Sequence, residues 1–88
     1  MKDITGAQIR AARALLRWTS EELAKGASVG ISTVRRAEAG DGVPSMTAAN
    51  LKAVRAALEE AGIEFIAENG GGAGVRFRAP AAGSATDG

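Results

Sequence analysis

One stretch decides the fold: "LAKGASVGISTVRRAEAG", Leu23 to Gly40. Its apolar residues recur at helical spacing on both sides of a four-residue turn, Ala27 to Gly30. This pattern predicts a short helix that stops near Gly26 and a second helix over Ile31–Ala39. We expect Gly40 to close the second helix in a left-handed conformation, as glycine often does at that position.

Two further helices flank this pair. Thr5 is a good cap for a first helix over about residues 5–17, and Thr19 or Ser20 caps the helix that leads into the turn. After the loop "DGVPSM", Thr47 caps a longer helix that Gly62 ends. The chain therefore predicts four helices before residue 63.

The period then changes from helical to alternating. Ile63 and Phe65 point one way and Glu64 the other, "NGGGAG" supplies a turn, and "VRFR" alternates again. We expect a hairpin in which Phe65 lies opposite Phe77 and Glu64 lies near Arg78. The last ten residues, 79–88, have no period and are predicted to be disordered.

Composition excludes several classes of protein. The 88 residues include no cysteine and no histidine, which removes disulfides, the usual zinc ligand sets, thiolate nucleophiles and the commonest general base. We expect no catalytic residue, no metal and no cofactor, and hence not an enzyme. No signal-like segment and no run near the roughly 18 apolar residues of a membrane helix occurs, so the prediction is a cytoplasmic protein without a membrane partner.

Charge is divided unevenly along the chain. Between residues 5 and 58, eight basic residues face four acidic ones, a net charge of +4. Between residues 59 and 88, two basic residues face five acidic ones, a net charge of −3. A polyanion would therefore be attracted to the first two-thirds of the chain.

Two short helices joined by a tight turn and held against a preceding helix describe a helix-turn-helix unit. The stretch "IRAARALLRWTSEELAKGASVGISTVRRAEAG", residues 9–40, resembles the Cro/C1-type (XRE) family of DNA-binding regulators through the pattern L-A-x-x-A-x-V-x-x-x-T-V-x-x-x-E-x-G. The resemblance covers about residues 5–58. It implies a four-helix Cro/repressor-like helix-turn-helix domain over residues 1–62. The predicted fold class is therefore mostly α, with this domain followed by the C-terminal β-hairpin (63–78), which lies outside the common family pattern, and by the tail (79–88).

The resemblance also implies roles for particular residues. The helix Ile31–Ala39 would be the recognition helix in the major groove, and Arg13 and Glu38 would form an ion pair between the first and third helices. The residues expected nearest the base edges are Ile31, Ser32 and Arg36, and those expected near phosphate are Ser20, Gly30, Thr33 and Arg35. Arg10 and Arg17 on the first helix are further candidates for backbone contact.

The adjacent arginines cannot share one base pair, because neighbouring residues on a helix point roughly 100° apart. Arg36 lies four residues after Ser32 on the same face, so we assign Arg36 to bases, with guanine as the expected partner, and Arg35 to phosphate. The alternative is that both arginines are merely solvated.

The hairpin is predicted to be a dimerisation element, since an isolated two-stranded hairpin is marginal in water. Its apolar residues are Ile63, Phe65, Ile66, Val75 and Phe77. Pairing with a second copy would bury them and space two recognition helices by about 34 Å for a palindromic operator. The alternative is a hairpin that folds back on the fourth helix of its own chain.

The predicted function is sequence-specific binding of double-stranded DNA as a homodimeric transcriptional regulator. The rival prediction is a protein-interaction module, an antitoxin or adaptor that uses the helix-turn-helix as a scaffold and grips a protein partner. Salt separates the two, because DNA affinity falls steeply as salt rises.

Overall fold

A computed structural model describes residues 3–79 and contains four helices and one hairpin. The elements are α1 (Gly6–Leu16), α2 (Ser20–Ala27), α3 (Ile31–Glu38), α4 (Ala48–Glu60), β1 (Ile63–Ile66) and β2 (Gly74–Phe77). The predicted fold class is confirmed, and each predicted helix is present. Except for Ala79, the tail predicted to be disordered lies outside the described residues.

Three of the four helices begin at a threonine that caps them. The hydroxyl oxygens of Thr5, Thr19 and Thr47 accept hydrogen bonds from backbone N–H groups three residues later, at 3.1, 3.0 and 3.1 Å. Such a bond satisfies one of the N–H groups that the start of a helix leaves without a partner. In contrast, α3 is preceded by Gly30, and no side chain caps its start.

The helix ends differ from the prediction at one point. Gly40 does not close α3 in a left-handed conformation; the capping residue is Ala39, with φ −68° and ψ −29°. The left-handed residues that flank α2 are Arg17 (φ 57°) and Ser28 (φ 58°), neither of them glycine. The expectation for Gly40 is wrong because carbonyl groups at this end of α3 receive hydrogen bonds from α1, as described below. Gly62 (φ 108°) ends α4 as predicted.

A single apolar core joins all the elements. Fully buried side chains come from the segment before α1, from each helix and from β1: Ile4, Ile9, Leu23, Val34, Val54, Leu58 and Ile63. Helix α2 packs against both α3 and α4, and α1 packs against α3. Because α3 buries Val34 and Ala37 against this support, its opposite face is turned outward.

The register of the hairpin differs from the prediction by two residues. Ile63 lies opposite Phe77, Glu64 opposite Arg76, and Phe65 opposite Val75. The expected pairing of Phe65 with Phe77 is therefore wrong. Glu64, expected near Arg78, lies opposite Arg76 instead. The hydrogen bonds from Arg76 lower the pKa of Glu64, and the charge of Arg78 still contributes to that shift. A shift of two residues keeps every side chain on its predicted face, so alternation alone does not reveal it.

The hairpin folds back on its own chain. β1 packs on α4 and β2 packs on α1, and Ile63 and Phe65 are buried (0% and 7% exposed). The core of the same chain thus covers these two side chains without a second copy, and the role of the hairpin in dimerisation stays a prediction. Ile66 and Val75 are half-buried, and Phe77 remains 37% exposed.

Gln8 joins the hairpin to α1. Its side-chain Nε2 donates to the carbonyl oxygens of Ile66 (3.2 Å) and Gly74 (2.9 Å), while its Oε1 accepts from the N–H of Thr5 (2.9 Å). The side chain of this buried residue is thus fully engaged. Since a buried amide without partners is costly, these bonds favour the docked position of the hairpin.

Candidate nucleic-acid interface

The outward face of α3 carries Ser32, Arg35 and Arg36, all three exposed. Within residues 3–79, neither arginine of this pair has an ion-pair or hydrogen-bond partner for its guanidinium. Val34 and Ala37 are buried on the opposite face. The result is a helix whose free cations project away from the domain, where a polyanion can approach them.

The other residues that are predicted to contact DNA differ in their exposure to solvent. Gly30 is exposed, and Thr33 is half-buried. Ile31 is half-buried and packs against the core, so less of its side chain is available for a base than the sequence suggests. Ser20 is the first residue of α2 and is half-buried, while Arg17 is exposed where α1 ends.

A shallow, open concavity lies beside Arg36. Its lining joins α3 to the start of α4 and consists of Thr33, Arg36, Ser45, Met46, Thr47 and Asn50. The hydroxyl and amide groups of Ser45, Thr47 and Asn50 can bind phosphate oxygens or water. No contact with DNA is predicted from the sequence for these three residues, although the polar cluster before a capped helix in "PSMTAAN" is a signal for one.

Glu38 does not oppose the positive charge of this face, because Arg13 neutralises it. Arg13 Nε donates to Glu38 Oε2 (2.9 Å) and Nη2 to Oε1 (3.0 Å), and Nη1 donates to the carbonyl oxygen of Trp18 (2.9 Å). The Glu38 side chain is only 8% exposed. The hydrogen bonds to Glu38 raise the pKa of the Arg13 guanidinium above its ordinary value, against the opposing effect of burial. This pair ties α1 to α3.

Arg10 also faces α3, although the sequence predicts that it contacts the DNA backbone. Its Nη1 donates to the carbonyl oxygens of Glu38 (2.7 Å) and Gly40 (2.9 Å), and its Nη2 donates to the carboxylate of Asp41. The guanidinium therefore has three acceptors within its own chain. The structure does not group Arg10 with the free cations of α3.

Residues 3–79 hold no cluster of three or more acidic side chains, histidines or cysteines that could bind a metal ion. None of the four described helices has the length and apolar character that crossing a membrane requires.

These features define a class of protein: a helix-turn-helix protein in which the second helix of the unit, α3, turns its cationic face outward. A family model described as "Helix-turn-helix" matches residues 9–53, just over half of the chain. The chain belongs to this Cro/C1-type (XRE) helix-turn-helix family of DNA-binding regulators, as the pattern in residues 23–40 predicts. A comparison with curated proteins gives no match.

Proposed function

We propose that this protein reads a specific sequence of double-stranded DNA by placing α3 in the major groove. The observation that carries the proposal is the free arginine pair, Arg35 and Arg36, on the outward face of a helix whose other face is buried. An α-helix fits the major groove, and guanidinium groups are the usual partners of guanine and phosphate there. Binding without catalysis and without a cofactor is part of the proposal.

The two arginines are proposed to have different partners. Arg36 lies one helical turn after Ser32, so both address the same part of the groove, and Arg36 contacts guanine through two parallel hydrogen bonds. Arg35 points to the other side of Ser32 and binds phosphate. Arg17, Ser20, Gly30 and Thr33 remain proposed backbone contacts, joined by the polar residues of the concavity beside Arg36.

A second copy of the chain is also part of the proposal, since two helix-turn-helix units about 34 Å apart read a palindromic operator. The large apolar side chains that residues 3–79 leave exposed are Leu15 (40%), Val43 (57%) and Phe77 (37%). With Ile63 and Phe65 buried in their own chain, any contact between hairpins rests on Phe77 and the half-buried Ile66 and Val75. Light scattering with and without DNA measures the oligomer directly.

Selection of bound sequences from a random DNA pool tests the function. Arg36→Ala should lose discrimination at one base position by about 1–3 kcal/mol, whereas Arg35→Ala should weaken binding to all sequences and reduce the salt slope by about one. Arg76→Ala is the control of equal charge, because Arg76 lies on the hairpin and pairs with Glu64. If both α3 variants bind as the control does, α3 is not the recognition helix.

A protein-interaction module remains the second candidate. The observations that favour it are the exposed Val43 and Phe77 and the few hydrogen-bonding groups at the start of α3, where Ile31 packs inward. Such a module would bind its protein partner with a weak dependence on salt and would recover no common motif from the DNA pool.

A further inference from the structure

The far end of α3 depends on another helix for its stability. With eight residues, α3 is shorter than the roughly 12–15 residues that an isolated helix needs in water. It has neither a side-chain cap at its start nor a left-handed residue at its end. Its orientation must therefore come from contacts with neighbouring elements.

Arg10 of α1 caps the end of α3 with its side chain. The carbonyl oxygens it binds, those of Glu38 and Gly40, belong to the last residue of α3 and to the turn that follows it. A guanidinium at this position satisfies acceptors that the helix leaves open and complements the negative end of the helix dipole. The ion pair with Asp41 adds less, because the Asp41 side chain is 83% exposed.

A close approach of the two backbones fixes the same end. A Cβ placed on Gly6 would lie 2.1 Å from the carbonyl oxygen of Gly40 and 2.5 Å from that of Ala37. The N–H of Gly6 donates to the carbonyl oxygen of Gly42 at 2.8 Å. The first turn of α1 is thus seated directly on residues 37–42, with Arg10 one turn further along.

We propose that Arg10 is a positioning residue for DNA recognition: it holds the end of α3 at the angle at which the recognition face meets the groove, without contacting DNA. The inference rests on the proposed function. Loss of the hydrogen bonds from Arg10 lowers the fraction of molecules in which α3 is correctly placed. The apparent affinity for a specific site falls in proportion to that fraction. Nonspecific binding depends on charge near phosphate and is spared.

The test compares Arg10→Ala, Arg10→Lys and the equal-charge control Arg76→Ala. Affinities for the selected operator and for unrelated DNA are measured across a salt series, at a temperature where far-ultraviolet circular dichroism shows each variant to be folded. We expect Arg10→Ala to bind the operator about tenfold more weakly than the control, the factor expected for one lost charged hydrogen bond, with an unchanged salt slope. Arg10→Lys, which keeps one donor group, should recover part of the loss and serves if the alanine variant does not fold.

Hydrogen exchange of the free protein provides a readout that does not involve DNA. Amide exchange in the last turn of α3 should be faster in Arg10→Ala, and less so in Arg10→Lys, than in Arg76→Ala. Unchanged amide exchange in Arg10→Ala would overturn the proposal. Equal losses of affinity for the operator and for unrelated DNA, with a salt slope reduced by about one, would also overturn it, because a phosphate contact gives that result. If the unaltered protein bound no DNA, the proposed function would fail, and faster exchange alone would show that Arg10 orders α3.

Discussion

Two glycine-to-alanine substitutions should have opposite effects on stability. Alanine is favoured over glycine within a helix by about 1 kcal/mol. At Gly6, however, the added methyl would lie 2.1 Å from the carbonyl oxygen of Gly40, whereas ordinary contacts begin at 3.4 Å. At Gly26 in α2 the nearest atom is a ring carbon of Trp18 at 4.0 Å, so that methyl fits without displacement.

The size of the effect at Gly6 follows from the displacement it requires. The contact with Gly40 must open by 3.4 − 2.1 = 1.3 Å, and the obstacles are backbone carbonyls that no side-chain rotation moves. Overpacking of this kind costs about 1–3 kcal/mol, and the displacement also strains the hydrogen bond from Gly6 to Gly42. Because two backbone carbonyls obstruct the methyl, we expect a cost at the upper end of that range, about 3 kcal/mol, offset by about 1 kcal/mol of helix propensity. Gly6→Ala should therefore lose about 2 kcal/mol of unfolding free energy.

Urea and thermal unfolding, each followed by far-ultraviolet circular dichroism, measure the unfolding free energy and the Tm of both variants. Since 1 kcal/mol moves the Tm of a domain this size by about 4–8 °C, Gly6→Ala should lower the Tm by roughly 8–16 °C. Gly26→Ala should raise the Tm by a few degrees, because it gains up to about 1 kcal/mol from helix propensity. If Gly6→Ala were as stable as the unaltered protein, the close packing of α1 on the end of α3 would be refuted. A loss of stability in Gly26→Ala would instead contradict the free space beside Gly26.

Two further predictions concern ion pairs. Arg13→Met should cost about 3 kcal/mol of unfolding free energy, because it leaves the Glu38 carboxylate, 8% exposed, without its partner. Adding Glu38→Gln should recover part of that loss in urea unfolding, and a double variant that is worse than the single one would contradict this account. The hydrogen bonds from Arg76, with its charge, lower the pKa of Glu64, so the carboxyl carbon of Glu64 should titrate by NMR below the ordinary value of about 4.3. Arg76→Ala should return the midpoint of the Glu64 titration toward that value. Because the pKa of Glu64 is lower in the folded state, the pair with Arg76 stabilises the fold at pH values above the ordinary pKa. That stabilisation is lost as the pH falls through the folded-state pKa.

Helices and their starting residues could be predicted because their signals are local. Thr5, Thr19 and Thr47 each stand directly before a run with helical spacing, and each caps the helix that follows. The family pattern in residues 23–40 likewise depends only on spacing along the chain. The outward face of α3 follows from the same spacing, since burial of Val34 and Ala37 leaves Ser32, Arg35 and Arg36 outside.

Features that depend on distant parts of the chain could not be predicted in the same way. The hairpin register is set by how residues 67–73 turn and by how both strands dock on α1 and α4, and alternation is blind to a shift of two residues. Arg10 resembles any exposed helical arginine until α1 is placed beside residues 38–41. Gly40 likewise resembles a helix-closing glycine in the sequence. Arg10, whose guanidinium binds the Gly40 carbonyl oxygen, lies thirty residues earlier in the chain.

Because so many hydrogen bonds depend on α1, the helix-turn-helix unit cannot be transferred to another protein without that helix. Gln8 binds the hairpin, Arg10 and Arg13 bind the end of α3, and Gly6 binds the segment that follows α3. All four residues belong to α1. A chimera that grafts only residues 19–40 onto a foreign scaffold would inherit the arginines but lose the supports that aim them. A transplant that includes α1 carries its own alignment with it.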